Sequence, residues 1–245
     1  MSRSEEPDRV PIICGDESVL VCANLFDPNS WSGRSRGIVQ SCWTESSVLH
    51  HCVRQLTEMC GAAEQLCAKH IDAIQEQWSV AEFEVRKVKI FGQVPDLHMR
   101  IEAFFSGVKT LLDLLVQLLA SEHVVNRAVH GFHRDKNTYG GSVLKALTHN
   151  ASSARKEVAA KALVLLSEHK SEWIDQTISA RDLLIHPGES AHQLMFRLGF
   201  TVQERRLVCT SVSPPAIGSE TIDRYAERVF GQAQTFSSAF LGLFK

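Results

Sequence analysis

From Ser152 to His186 the chain runs without a proline or a glycine. Proline breaks a helix because it lacks the amide donor and its ring clashes with the preceding turn. Glycine weakens one through the backbone entropy it loses. The segment "EVAAKALVLLSEHKSEWIDQTISARDLLIH" is rich instead in strong helix formers. It predicts one long helix, or two helices with a break near His169–Ser171, ended by Pro187-Gly188. Helices of this length bury their apolar stripe against other helices.

Partners for it lie upstream. Pro95 and Asp96 open a second long helix. Its wide apolar stripe is Ile101, Phe104, Phe105, Val108, Leu111, Leu112, Leu115, Leu118 and Leu119. Another helix starts at Thr44, with Thr44 or Ser46 as cap, and runs to about Trp78. Val48, Cys52, Leu56, Met59, Ala63, Leu66, Cys67 and Ile74 recur along it at helical spacings. "AEFEVRKVKIF" adds a helical or extended piece, and "VLKALTHN" a short helix after the glycine-rich loop 130–142. "ETIDRYAERVFGQAQTFSSAFLGLF" closes the chain as an amphipathic helix, with Ile222, Tyr225, Val229 and Phe230 on one side.

Strand signals are few. "VPIICG" and "SVLVCANLF" are short β-branched runs near the N-terminus, and "HQLMFRLGFTVQERRLVCTSV" predicts a hairpin at about 192–213. "SPPAIGS" is a turn, and "DPNSWSGRSRG", 27–37, a turn-rich loop. That loop sets Arg34 and Arg36 beside Trp31, as a solvated linker or a phosphate-binding loop would. The expected fold is therefore mainly α, a helical bundle with minor β segments near the N-terminus and at about 192–213. Residues 1–43 form an N-terminal β and loop segment, and 44–190 the bundle. Residues 191–245 form a hairpin and C-terminal helix packed on the same domain.

Charge and cysteine usage narrow the setting. The formal net charge is -2, so no global basic field points to nucleic acid, although a local groove remains open. Seven cysteines at irregular spacings, behind a polar, acidic opening "MSRSEEPDRV", predict a reduced cytoplasmic protein. The most apolar run, "LLDLLVQLLA" at 111–120, is short and carries Asp113 and Gln117, which predicts a core helix and no membrane partner.

The chemistry-bearing stretch is "SARDLLIHPG", 179–188. Ile174, Ile178, Arg181 and Ile185 fall at helical spacings, so Arg181 lies in an apolar stripe. A guanidinium there must find a carboxylate, a carbonyl, a partner chain or a ligand anion. Asp182 and His186 are four apart on another edge, where the carboxylate can hold the imidazole in one tautomer. His186 precedes a proline and so falls at the helix end, where free carbonyls favour its protonated form. A histidine moves protons near neutral pH, and an arginine stabilises developing negative charge on a phosphate. Together they suit metal-free RNA cleavage by 2′-hydroxyl attack. The alternative is structural: Arg181 pairs with a buried carboxylate and His186 caps the helix.

The order Arg, polar, three apolar, His in "RDLLIH" resembles the Arg-X4-6-His signature of the HEPN superfamily, whose first X is often Asn, Asp or His. The resemblance covers roughly residues 95 to 190. It implies an α-helical bundle with the motif on a late helix. It also implies a homodimer with two motifs facing one cleft, RNA as substrate, and a possible protein partner or antitoxin. Catalysis would rest on Arg181, Asp182 and His186, without metal or cofactor. Members that have lost activity imply the alternative, a non-catalytic binding or assembly module of the same fold. A second match to the signature, with five residues between, runs from Arg127 to His133, but there it runs into Gly131 and a turn-rich loop.

Other clusters carry weaker signals. His123, His130 and His133 could hold a metal if they converged, though Gly131 interrupts them and a polar loop explains them as well. Cys60, Cys67 and His70 have no Cys-X-X-Cys pair, and buried thiols are the commoner explanation. His50-His51 reads as a surface pair. Lys109, Asp113 and Gln117 form a polar edge, either solvated or, in a HEPN-like bundle, with Asp113 approaching Arg181. "GGS" at 140–142 precedes a helix, as a plain cap or as an anion site. The chain has no phosphate-binding glycine loop, dinucleotide fingerprint or serine-hydrolase elbow.

Overall fold

The computed structural model describes residues 22–23, 25–77, 91–92, 94–133, 135, 138–185, 194–204 and 206–245. The protein is mainly helical, with a little antiparallel sheet. Helices α1 (Gly33–Gly61), α2 (Ala63–Gln77) and α3 (Pro95–Ser121) precede the short α4 (Gly141–His149). Then come α5 (Lys156–His169), a π-helical turn (Lys170–Ile174), α6 (Asp175–Ile185) and, last, α7 (Ile222–Gly242). Strands β1 (Phe91–Gly92), β2 (Phe196–Gln203) and β3 (Arg206–Ser213) form one antiparallel sheet in that order. Strands β4 (Ala216–Ile217) and β5 (Glu220–Thr221) form a separate hairpin.

Helix α3 is the hub. Its predicted stripe is buried throughout, joined by Leu97 and Val116. α1 makes the most extensive helix contact with it, and α6 and α7 also pack on it. At 27 residues, with an 18-residue window of mean hydropathy 1.5, α3 is long and apolar enough to cross a membrane, and 56% of that window is buried inside the protein. Its length exceeds the expected apolar run because the stripe continues on both sides of it. Gly107 lets α1 approach closely: a Cβ there would sit 2.8 Å from Glu45 Oε1 and 2.9 Å from Leu49 Cδ2.

The long proline-free segment is helical from Ser153 to Ile185, and its expected break is the π turn. The turn inserts an extra residue without reversing the chain. The buried row Ala159, Ala162, Leu166 therefore continues as Trp173, Ile174, Thr177, Ile178. Trp173 Nε1 donates to His169 Nδ1 at 3.0 Å across this turn. Thr177 Oγ1 lies 3.2 Å from the Tyr225 hydroxyl and ties α6 to α7.

Several expectations need correction. α1 begins at Gly33, not Thr44. Residues 27–37 are not a loop: Asp27 accepts from the Asn29 amide at 3.0 Å and starts a 3₁₀ turn at Pro28–Ser30, with α1 following. Turn-forming residues here lead into a helix. Trp31 packs edge-on to Phe244 at 5.8 Å, and Arg36 donates to Asn29 Oδ1 at 3.0 Å. The expected single helix to about Trp78 is two, separated at Ala62. Of the expected N-terminal strands at 10–26, residues 10–21 and Asn24 lie outside the described residues, and the rest is not strand: Cys22 and Ala23 are helical, with the Leu25 and Phe26 amides returning to the Cys22 carbonyl. The "AEFEVRKVKIF" piece also lies outside them except for Phe91. "SPPAIGS" holds β4 and a turn at Gly218, whose φ is +63°. The hairpin at 192–213 is present as β2 and β3, with a bulge at Gly199/Phe200.

Candidate functional site

Arg181 and Asp182 sit on the last turn and a half of α6, a helix whose Ile174-side face is buried against α3. The Arg181 side chain is 25% exposed and that of Asp182 34%. Arg181 Nη1 donates to Asp182 Oδ1 at 2.9 Å. Asp182 Oδ2 accepts from the Tyr139 hydroxyl at 3.1 Å. Arg181 Nε is buried and has no hydrogen-bond partner among the described residues. Arg181 does reach a carboxylate, but among the described residues that carboxylate belongs to its sequence neighbour and not to another helix. His186 lies outside the described residues, as do Pro187 and Gly188.

Asp113 does not approach Arg181. It is the seat of the 130–142 loop, pairing with Lys109 and accepting from the Phe132 amide. Gln117 Nε2 donates to the His130 carbonyl at 3.2 Å. The Lys109, Asp113 and Gln117 edge is therefore a docking rail for the loop, not a solvated face. Sequence reasoning missed this because the rail's partners are backbone groups, which leave no residue-type signal.

The loop itself is well built. Phe132 is fully buried, and its ring lies where a Cβ on Gly140 would fall. Gly140 has φ +66°, a conformation that L side chains avoid, and turns the chain into α4. The "GGS" stretch is thus the entry to α4, with no side-chain cap hydrogen bond. Tyr139, next to Gly140, was not singled out in the sequence, and only its contact with Asp182 reveals it.

The histidines divide. His123 has φ +54° just after α3, and the Val124 amide donates to the Leu119 carbonyl at 2.8 Å. It ends the helix in the role glycine usually takes. His130 and His133 line a shared cavity with Arg127 and Lys145. Among the described residues no three His, Cys, Asp or Glu side chains converge as metal ligands. Cys60 and Cys67 are buried on separate helices. Burial, with the Asp223 charge nearby, pushes the Cys60 thiol up to about 12, which disfavours the thiolate a metal needs. The His50 ring packs 5.6 Å from that of Phe230 and so is not a free surface residue.

A second cavity, of about 320 Å³, flanks the motif helix on its other side. Leu183, Leu184, Met195, Pro215 and Ile217 line it, with Arg197 as the one charged group among the described lining residues. No family model matches the sequence, no curated protein matches it, and no solved structure matches the fold.

Proposed function

We propose that the chain is a HEPN-like, metal-independent endoribonuclease that cleaves RNA by 2′-hydroxyl attack on the adjacent phosphate. In this reading Arg181 contacts the scissile phosphate, Asp182 orients the arginine, and His186 is the general acid and base. The observation that carries it is the state of Arg181. Its side chain is half-buried on a late helix, and among the described residues its Nε has no hydrogen-bond partner and no carboxylate of another helix pairs with it. A structural arginine in such a stripe would meet a carboxylate across the interface. This one keeps hydrogen-bonding capacity for an anion. The reading includes a homodimer that sets two motifs in one cleft, a cytoplasmic location and no required cofactor.

A second reading, a non-catalytic binding or assembly module of the same fold, draws on Asp182. Both its oxygens are engaged, one by Arg181 and one by Tyr139, as in a purely structural network. RNA cleavage in EDTA separates the two. Mixed single-stranded and structured RNA is incubated with wild type, His186→Ala and Arg181→Ala. Products ending in 2′,3′-cyclic phosphate, lost in both folded variants, are expected for the nuclease. Intact RNA with partner-free wild type rejects that reading and leaves the module.

A further inference from the structure

Residues 127–131, His133 and Asp135 enclose, with one face of α4, a cavity of about 340 Å³. Arg181 and Asp182 are not among its described lining residues. Arg127, His130, His133 and Lys145 supply its basic groups, and Ser142 and Asn150 add neutral donors. Asp135, the one carboxylate among the described lining residues, pairs with Lys145. Among the described residues Arg127, His130 and His133 form no ion pair with a carboxylate. Arg127 therefore leaves the lining net positive, and protonating either imidazole adds to that. In a chain of formal charge -2 this is a local concentration of positive charge.

The groups are held on a frame that exists before any ligand arrives. Asp113 and Gln117 of α3 fix the backbone at Phe132 and His130. Asp135 and Thr138 exchange amide-to-carbonyl bonds of 2.9 and 3.0 Å. The Asn126 amide donates to the Asn150 carbonyl at 2.9 Å, which joins the two ends of the cavity wall. Ser142, Lys145, Ala146 and Asn150 share one face of α4 and its end, so the helix presents them together. Pre-ordered donors reduce the entropy that binding must overcome.

We propose that this cavity binds a phosphoryl group, as the phosphomonoester dianion of a mononucleotide or of a nucleic-acid end. The planar fork of Arg127 and the ammonium of Lys145 match phosphate oxygens, and imidazole and amide donors complete the shell. A metal cation fits poorly, because Arg127 and Lys145 would repel it. The inference is independent of the chemistry assigned to Arg181.

Titration calorimetry on the full chain tests it, with inorganic phosphate, 5′-AMP, adenosine, and one RNA decamer bearing either a 5′-phosphate or a 5′-hydroxyl. Arg127→Gln and Lys145→Gln are the variants. Both side chains are exposed, and thermal melts check that each variant folds. Phosphate and AMP are expected to bind while adenosine does not, and each variant should weaken AMP about tenfold, the scale of one charge-assisted hydrogen bond. AMP tighter than the phosphorylated decamer assigns the mononucleotide. Preference for the phosphorylated decamer over AMP and over its hydroxyl form assigns the nucleic-acid end. Absence of binding by every phosphate probe overturns the inference, as does AMP affinity unchanged in the Arg127→Gln, Lys145→Gln double variant. The readout is binding, so a failure of RNA cleavage does not affect it.

Discussion

The Tyr139 hydroxyl donates to Asp182 Oδ2 at 3.1 Å, while Asp182 Oδ1 accepts from the Arg181 guanidinium at 2.9 Å. A loop residue therefore fixes the carboxylate of the motif helix. The loop is in turn docked on α3 through Asp113 and Gln117. Through Tyr139, the loop that walls the basic cavity is joined to the Arg181 motif, two regions that are far apart in sequence.

If this hydroxyl positions Asp182, Tyr139→Phe and Asp182→Asn should not be additive. A double-mutant cycle read by urea unfolding is expected to give a coupling of about 0.5–1.5 kcal/mol, the usual net value of one such bond. Additivity within error would show that the contact has no energetic weight.

Arg181→Met separates a structural from a functional arginine. The substitution removes a buried Nε that has no partner among the described residues and keeps most of the apolar stem. Asp182 remains one-third exposed and bonded to Tyr139. Stability should therefore change by less than about 1 kcal/mol, whereas breaking a buried structural pair costs roughly 3–5 kcal/mol. RNA cleavage should be lost in the same protein. A large fall in unfolding free energy would make Arg181 a structural ion-pair residue.

Two glycines give opposite expectations. At Gly107 an added methyl meets Glu45 and Leu49 in the α1–α3 contact. Overpacking of about 1–3 kcal/mol should outweigh the gain in helix propensity, so Gly107→Ala lowers the urea midpoint. At Gly231, in α7, the methyl meets nothing within 4 Å, and Gly231→Ala should stabilise by about 0.5–1 kcal/mol. Equal effects at the two sites would argue against the tight approach of α1 to α3.

Much of the helical framework was legible because periodicity reports burial directly. The α3 stripe, the α7 face and the β2–β3 hairpin follow from residue spacing alone. What failed was local and has a common cause. Residues 27–37 read as a loop because Asp, Pro and Asn also open helices, and only the hydrogen bonds of Asp27 decide which. The π turn appears in sequence only as an ambiguous break, since a one-residue insertion changes register without changing composition. At the candidate site, spacing placed Arg181 correctly in the stripe. Its partners were not legible, because Tyr139 lies 43 positions from Asp182 and reaches it through the tertiary fold. From sequence, His130 and His133 fit a metal site or, better, a polar loop, and what distinguishes their cavity is the arrival of Arg127 and Lys145 beside them.

Glu45 should make stability fall as pH rises. Burial beside Gly107 pushes its carboxyl above the ordinary value of 4.5 in the folded protein. The native state then holds this proton more tightly than the unfolded chain. Its favourable contribution is complete below 4.5 and is lost as pH climbs through the folded value, the opposite sign from a salt-bridged carboxylate. Glu45→Gln should therefore match wild type near pH 4 and exceed it at pH 7, when unfolding free energies are compared across that range. Parallel curves would show that Glu45 is solvated in the native state.

Thiol labelling should be confined in the native protein. Cys22, Cys42, Cys52, Cys60 and Cys67 are buried and Cys209 is partly exposed. Burial raises the first five above the ordinary thiol value, with the Glu45 charge adding to the effect at Cys42 and that of Asp223 at Cys60. Alkylation requires the thiolate and access to it, so both conditions act in the same direction. Iodoacetamide at pH 8, resolved peptide by peptide in a mass spectrometer, should modify Cys209 first among these six. The five buried thiols should follow only as the protein opens, and together once urea unfolds it. Labelling of Cys42 or Cys60 as fast as Cys209 in native buffer would mean that α1 does not seal against α3 and α7 as the packing requires.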